Sequence, residues 1–191
     1  TSSGTESDNL ALFGAMENAS GNRKSVVTSA FEHPAVGEPV ETLKKKGYDT
    51  RIVKPDRQGI VGTDSLEQEM STDVALVSIM MANNVVGTIQ PVDELVTVAH
   101  HNGALFHSDA VQAVGKIPID VHRLGIDMLS FSAHKLHGPK GIGALYVRKG
   151  VSISPILRGG GQERGLRSST ENVPGIVGFG EAARICSEEM S

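Results

Sequence analysis

The sequence predicts an α/β fold with a mostly parallel sheet flanked by helices. Short apolar segments at the spacing of β-strands alternate with longer segments in which apolar residues recur every three or four positions. The segment 74–81 is almost entirely apolar, which is typical of a strand that helices cover on both faces. Strands and helices that alternate in this way favour parallel pairing, because each helix returns the chain to the same end of the sheet.

Glycine, proline and acidic residues indicate where these elements begin and end. The first helix follows a serine-rich start and has Glu6 in its first turn. Pro34 and Pro91 open two later helices, which end at Gly47 and Gly103. Helices are predicted over residues 5–17, 34–46, 65–70 and 91–102. Strands are predicted over residues 25–28, 49–53, 74–81 and 104–106, with a further buried strand around 126–131.

Length, charge and cysteine content exclude several classes of protein. The chain has 191 residues and no convincing linker, so we expect a single domain over 1–191. Its net charge of −4 offers no basic field for nucleic acid or an anionic membrane, and no apolar run approaches the length of a membrane span. One cysteine forms no internal disulfide, which agrees with a reducing cytosol, and we expect a cytoplasmic protein.

That cysteine, Cys186, lies in a predicted C-terminal helix. Ile176, Phe179, Ala183, Cys186 and Met190 are spaced by three or four residues, which places them on one apolar face. A cysteine on such a face behaves as a small buried hydrophobic residue. We therefore expect Cys186 to be structural and not a nucleophile.

Polar side chains follow four of the predicted strands. In open α/β sheets, ligands bind outside the carboxyl ends of the strands, so these side chains are candidates for one common site. The start of the first helix adds free backbone N–H groups, which suit an anion or a phosphate. The polar residues are His33, Asn83, Asn84, Asp109, Gln112, Ser132, His134 and Lys135.

Lys135 stands between a buried strand and a glycine-rich turn. By itself it is best interpreted as an ordinary loop lysine; the alternative is a Schiff-base lysine, which needs a partly desolvated amine. A phosphate site, a lysine, a carboxylate and a histidine at one sheet edge favour the second interpretation and suggest a pocket for pyridoxal 5′-phosphate. In such a pocket the carboxylate keeps the pyridine nitrogen protonated.

A metal site is the competing interpretation. His107 and Asp109 form an H-x-D pair, and His134 and His137 form an H-x-x-H pair. Such spacings occur in zinc sites, but single pairs are common by chance. His137 precedes Gly-Pro and is expected to be a turn residue, so we rank a metal well below the cofactor.

Several long motifs resemble those of the NifS-like cysteine desulfurases, in the class V branch of the fold type I pyridoxal phosphate enzymes. The resemblance covers essentially the whole chain, with its motifs in the family order, and it implies the large cofactor-binding domain of that fold. The matching runs are TSSGTESDN (1–9), SIMMANNVVGTIQP (78–91), FHSDAVQAVGKIPIDV (106–121), SFSAHKLHGPKGIGALYVRKG (130–150) and GGGQERGLRSSTENVPGIVGFGEA (159–182).

The resemblance implies roles around the cofactor ring. Lys135 matches the lysine that forms the Schiff base, and Asp109 matches the partner of the pyridine nitrogen. Gln112 matches the donor to the ring hydroxyl, and Asn84 matches the asparagine near that hydroxyl and the substrate carboxylate. His33 matches the histidine stacked on the ring, which also moves protons, so Lys135 and His33 are the catalytic candidates.

Further matches imply a phosphate site and a homodimer. Thr5, Ser132 and His134 match phosphate contacts, assisted by the backbone of Gly4. Thr170 matches a residue that reaches the phosphate of the neighbouring subunit. The implied substrate is L-cysteine, and the implied partners are a second copy of the chain and an iron–sulfur scaffold or another sulfur-acceptor protein.

The chain departs from the family pattern in a few places. Ser3 and Ser169 stand where glycine is usual, and Val85 stands where glutamate is usual. The family's N-terminal segment and small C-terminal domain, with its persulfide-forming cysteine, have no counterpart in residues 1–191. We therefore expect a central fragment that holds the cofactor half of an active site and is inactive when isolated.

The function expected from the resemblance is sulfur transfer from L-cysteine, which leaves L-alanine and supplies iron–sulfur clusters or tRNA thiolation. The alternatives are a selenocysteine lyase or another class V lyase or aminotransferase, and a non-catalytic scaffold fragment. A zinc-binding module is the weakest of the alternatives.

Overall fold

A six-stranded sheet forms the centre of the computed structural model, which describes residues 1–190. The strand order is β2-β1-β3-β4-β5-β6. The first five strands in this order pair in parallel, and β6 runs antiparallel to β5. The strands are β1 (Ser25–Ser29), β2 (Asp49–Val53), β3 (Val74–Ser78), β4 (Leu105–Asp109), β5 (Met128–Ser132) and β6 (Gly143–Val147).

Helices cover both faces of this sheet. The α-helices in the described part of the chain are α1 (Gly4–Asn18), α2 (Pro34–Lys45), α3 (Thr63–Glu67), α4 (Val92–His101), α5 (Val121–Leu124) and α6 (Val173–Glu189). Two short 3₁₀ segments, Ala133–Leu136 and Glu163–Gly165, follow β5 and precede α6. The predicted α/β fold with a mostly parallel sheet is thus confirmed.

Successive residues of the central strands point to opposite faces, and each face has its own core. On one face Val26 and Leu76 pack with the apolar residues of α1 and α2, among them Leu12 and Leu43. On the other face Val27, Val77 and Phe106 pack with the apolar residues of α4. The strands are therefore buried on both sides, as their continuous apolar runs indicate.

The helix starts are fixed by caps that the sequence provides. Ser3 Oγ accepts a hydrogen bond from the backbone N–H of Glu6 and caps α1. His33 Nδ1 accepts from the N–H of Ala35 and caps α2, in which Pro34 is the first residue. These caps satisfy N–H groups that have no partner inside the helix.

The structure differs from the predicted elements in several places. The strand predicted over 74–81 ends at Ser78, although the N–H of Met81 still bonds the carbonyl of Asp109 at 2.9 Å. The short helix lies at 63–67, two residues before its predicted start, and β4 extends to Asp109. Strand β6 was not predicted, because its side chains are mostly half-buried and follow a glycine-rich turn.

The buried face of α6 differs from the predicted one. Gly175, Phe179 and Ala182 are buried and Cys186 is half-buried, whereas Ile176 is 43% exposed. Ala183 and Met190 are exposed as well, so the predicted face was wrong for three of its five members. Phe179 and Ala182 pack on a small cluster beside the first 3₁₀ segment, and this contact sets the rotation of the helix. No helix within residues 1–190 is long and apolar enough to cross a membrane.

Candidate active site

A cavity of about 270 Å³ lies at the carboxyl ends of the parallel strands. Because β1, β3, β4 and β5 are neighbours, the loops that follow them meet at one edge of the sheet. Nine of the ten predicted cofactor-binding residues line this cavity. They are Gly4, Thr5, His33, Asn84, Asp109, Gln112, Ser132, His134 and Lys135.

The N-terminus of α1 forms one wall of the cavity. The first N–H groups of a helix have no intrahelical partner and carry partial positive charge, so they favour an anion. Gly4 is buried here, and a Cβ on it would lie 2.6 Å from Cγ2 of Val111. A glycine therefore allows the start of the helix to lie against the loop after β4.

The end of β5 supplies the lysine and two further donors. Ser132, the last residue of β5, is buried, and its Oγ lies 2.8 Å from Nδ1 of His134. Lys135 is half-buried in the 3₁₀ segment that follows. Within residues 1–190 its ammonium forms no ion pair, so its Nζ is not committed to a structural carboxylate.

Asp109 ends β4 and is buried, with 5% of its surface exposed. Burial raises the pKa of its carboxyl, while the hydrogen bond from the backbone N–H of Val111, at 2.9 Å, and the nearby His33 act in the opposite direction. A buried carboxyl that borders a cavity is suited to a cationic group, because a cation there stabilises its charged form.

His33 is held at the mouth of the cavity by its capping role. Its Nδ1 accepts the N–H of Ala35 at 3.1 Å, which leaves Nε2 as the ring nitrogen free to exchange a proton. Asn84 is exposed in the loop after β3. Its neighbour Asn83 is buried and structural: Oδ1 accepts the N–H groups of Val85 and Val86 at 2.9 and 3.0 Å.

Gln112 is positioned by a contact within its own loop. Its Oε1 accepts a hydrogen bond from Lys116 Nζ at 2.7 Å. With its oxygen engaged in this way, the amide N–H₂ remains as a donor.

Thr170 is the one predicted residue that the chain does not bring to this cavity. It is exposed and lines a larger cavity of about 920 Å³, between β6, α6 and the glycine-rich loop formed by residues 159–170. That loop is tied to α1 through Arg167, whose Nε donates to Glu6 Oε1 at 2.7 Å. Burial opposes the charge of Glu6, but hydrogen bonds from Arg167 and Ser2 outweigh it and lower its pKa to about 2.

The histidines of the alternative metal site have other roles. His107 is fully buried, and its Nδ1 and Nε2 each lie 2.9 Å from a serine Oγ, of Ser78 and Ser130. His137 is exposed with a φ of 61°, in the turn that its sequence context indicates. The structure groups no three His, Cys, Asp or Glu side chains of residues 1–190 in a metal-binding arrangement.

Two polar residues that line the cavity were not among the predicted site residues: Ser3, which caps α1, and Asp8. Asp8 is the one with a buried carboxyl. It lies on α1 with 1% of its surface exposed. The sequence held a signal, because Asp8 precedes Ala11, Leu12 and Ala15 by three, four and seven residues and so shares their apolar face.

The donor set matches pyridoxal phosphate, the cofactor that the sequence predicts. A helix N-terminus with Thr5, Ser132 and His134 offers hydrogen-bond donors to a phosphate, and Asp109 offers a carboxylate to a ring nitrogen. Lys135 borders the same cavity, and its Nζ forms no ion pair within residues 1–190. These residues would hold the two ends of such a cofactor and its aldehyde.

Comparison with known proteins agrees with this geometry. The chain is 54% identical over 191 residues to a cysteine desulfurase of Gluconacetobacter diazotrophicus, and covers 48% of that protein. It is 48% identical to the cysteine desulfurase IscS of Dictyoglomus turgidum, with the same share covered. The chain therefore spans about half the length of these relatives.

Solved structures show the same fold. A NifS-like protein superposes with a TM-score of 0.96 and 48% identity, over all of this chain and 53% of the other. A structure described as SspA in complex with cysteine superposes with a TM-score of 0.92 and 39% identity, over 96% of this chain and 54% of the other. Residues 1–191 match the family described as Aminotransferase class-V. The chain therefore belongs to the class-V aminotransferase family and has the fold of its NifS-like pyridoxal phosphate enzymes.

Proposed function

We propose that residues 1–191 form the cofactor-binding domain of a cysteine desulfurase. The observation that carries this proposal is the meeting of Lys135, Asp109 and the N-terminus of α1 in one cavity. Two relatives are named cysteine desulfurases, and one structural neighbour is described with bound cysteine. The substrate would be L-cysteine, and the site of action the cytoplasm.

Different residues of the chain would bind the cofactor and transfer protons. The N–H groups at Gly4 and Thr5, with Ser132 and His134, hold the phosphate. Asp109 keeps the ring nitrogen protonated, and Gln112 donates to the ring hydroxyl. When bound, the cofactor supplies an electron sink for the negative charge that develops at the substrate's α-carbon.

Two side chains are placed to move protons. Lys135 would hold the cofactor through Nζ, and the same Nζ could accept or return a proton near the α-carbon of the substrate. His33 offers Nε2, because Nδ1 accepts the N–H of Ala35. Asn84 lies at the cavity wall, where it is suited to the substrate carboxylate.

The sulfur would leave the substrate for a cysteine thiolate outside residues 1–191. The Cβ–S bond of cysteine breaks and an S–S bond forms, which leaves an enzyme persulfide; Cβ takes up a proton and alanine is released. Cys186 does not line the cavity, and its Sγ is 3.9 Å from the carbonyl oxygen of Leu136, so it is not suited to this attack. The persulfide would then pass to an iron–sulfur scaffold or another acceptor.

A second copy of the chain would complete the phosphate site. Thr170 is exposed, lies outside its own chain's cavity and is held on a loop that Arg167 fixes to α1. We propose a homodimer in which Thr170 donates to the phosphate in the neighbouring subunit.

Asp109→Asn should reduce catalysis more than cofactor retention, because an amide cannot keep the ring nitrogen protonated. In the whole protein we expect α-proton exchange on L-cysteine to fall by roughly 10²-fold, while cofactor affinity falls by less than about tenfold. Asp93→Asn, on the exposed face of α4, is the matched control and should change neither quantity. Equal losses of exchange and affinity in Asp109→Asn would refute the assigned role.

Thr170→Ala should weaken cofactor binding through the partner subunit, by about fivefold for one lost hydrogen bond. The test is a mixed dimer of one Thr170→Ala subunit and one Lys135→Ala subunit, purified with two tags. If Thr170 acts across the dimer, the subunit that retains Lys135 receives Thr170 from its partner, and its site has wild-type affinity. A mixed dimer with only weakened sites would show that Thr170 acts within its own chain, and a Thr170→Ala homodimer with wild-type affinity would show that Thr170 takes no part in cofactor binding.

Cys186→Ser should leave alanine formation from L-cysteine within roughly twofold of the wild-type rate in the whole protein, since the thiol takes no part in the reaction. Residues 1–191 alone should form no alanine at an enzymatic rate. If the isolated chain turned over L-cysteine and Cys186→Ser abolished this turnover, Cys186 would not be a structural residue of α6. The proposal that the attacking thiolate lies outside residues 1–191 would then also be wrong.

A further inference from the structure

The side chain of Asp8 is buried and has no charged basic side chain in ion-pair contact within residues 1–190. It lies in α1, which packs against β3, β4, β5 and β6, and its side chain borders the same cavity as Asp109. Its Oδ1 has no hydrogen-bond partner among residues 1–190. A buried charged oxygen in that position would lose its hydration without compensation, which is costly.

The nearest basic side chain cannot neutralise Asp8. His107 Nε2 lies 3.6 Å from Asp8 Oδ1, which is too long for a hydrogen bond. Both ring nitrogens of His107 already have serine hydroxyls as partners. Burial lowers the pKa of His107 to about 3, so the ring is neutral at physiological pH and brings no positive charge to Asp8.

Two other carboxyls face Asp8 from neighbouring elements. Asp109 faces it from the end of β4, and Glu32 from the segment between β1 and α2. Burial raises the pKa of Asp8 well above its usual value, and the charge of Asp109 raises it further, while the side chain of Ser130 acts in the opposite direction. Burial also raises the pKa of Glu32 to about 8, so Glu32 is mainly protonated at neutral pH. His33, His134 and Lys135 are the basic groups at the cavity wall.

The two aspartates are not equivalent in their ability to hold a charge. Asp109 accepts the N–H of Val111 at 2.9 Å, and His33 favours its ionised form. Asp8 has one unpartnered oxygen and no basic group in ion-pair contact that is charged at neutral pH. Since two neighbouring buried carboxyls do not both ionise readily, the proton belongs on Asp8.

We propose that Asp8 is a positioning residue that stays protonated at the cavity wall, so that Asp109 carries the single negative charge of three buried carboxyls. This inference rests on the proposed function, in which Asp109 faces the protonated ring nitrogen. The single negative charge of Asp109 then balances the single positive charge of the protonated ring nitrogen. A second anion would stabilise Lys135 as an ammonium, whereas its proposed role needs an accessible neutral amine.

The proton on Asp8 is directly observable by infrared spectroscopy of the cofactor-free whole protein at pH 7. The carbonyl stretch of protonated carboxylic acids should contain contributions from Asp8 and Glu32. Carbon-13 at the aspartate carboxyls should shift the Asp8 band only, and Asp8→Asn should remove it. Glu32→Gln should remove the other band, and Asp109→Asn should leave the Asp8 band in place. An aspartate band that survives Asp8→Asn, or the absence of any aspartate band, would overturn the proposal.

Cofactor affinity supplies the second test. Asparagine is nearly isosteric with a protonated aspartate and is neutral, so Asp8→Asn should change the dissociation constant for pyridoxal phosphate less than threefold. A tenfold weaker affinity would show that Asp8 contributes a charge, and would contradict the proposal. If the wild-type protein bound no pyridoxal phosphate, the proposed function would fail, whereas the infrared bands would still decide where the proton lies.

Discussion

Parallel pairing of β1, β3, β4 and β5 is the constraint on which the candidate site depends. Each of these strands ends at the same edge of the sheet, so residues far apart in sequence meet there without long loops. In the pairing of β4 with β5, Asp109 lies opposite Ser130. Ser130 precedes Ser132 by two residues and Lys135 by five. A slip of one residue in this register would turn Asp109 to the other face of the sheet.

Helix α1 joins this edge to the rest of the domain. Its N-terminus supplies N–H groups, its buried face supplies Asp8, and Glu6 in its first turn binds Arg167 of the glycine-rich loop. The start of the helix also lies against β6, where a Cβ on Gly143 would be 2.5 Å from the backbone of Ser3. One element, α1, therefore fixes the proposed phosphate-binding end of the cavity, Asp8 and the loop that carries Thr170.

Much of this arrangement could be predicted from the sequence, because the signals were local and strong. Apolar runs identified the central strands, and prolines and glycines marked α2 and α4. The polar residues after the strands then identified the cavity, because neighbouring parallel strands end at the same edge of the sheet and bring the residues that follow them together. Strand β6 and the rotation of α6 escaped prediction because both depend on tertiary contacts, of β5 with β6 and of Phe179 with the 3₁₀ segment.

Other features were not predicted from the sequence. Asp8 shares the apolar face of α1, but an aspartate is usually exposed, and its burial depends on the packing of the helix on the sheet. Ser169 stands where the family usually has glycine, and it adopts a φ of 143°. An L side chain is strained at this φ, whereas glycine is not, which explains why glycine is usual at this position. The proposed contact of Thr170 with a phosphate would be made in a second copy of the chain, which no single-chain pattern describes.

The proposed function depends most on Lys135 as the residue that would hold the cofactor. The most direct test is to reduce the pyridoxal phosphate-loaded whole protein with borohydride, digest it and identify the modified peptide by mass spectrometry. We expect one phosphopyridoxyl group, on Lys135, and none in the Lys135→Ala variant, which should keep its fold. A borohydride-stable group on Lys140, or one that persists in Lys135→Ala, would contradict it.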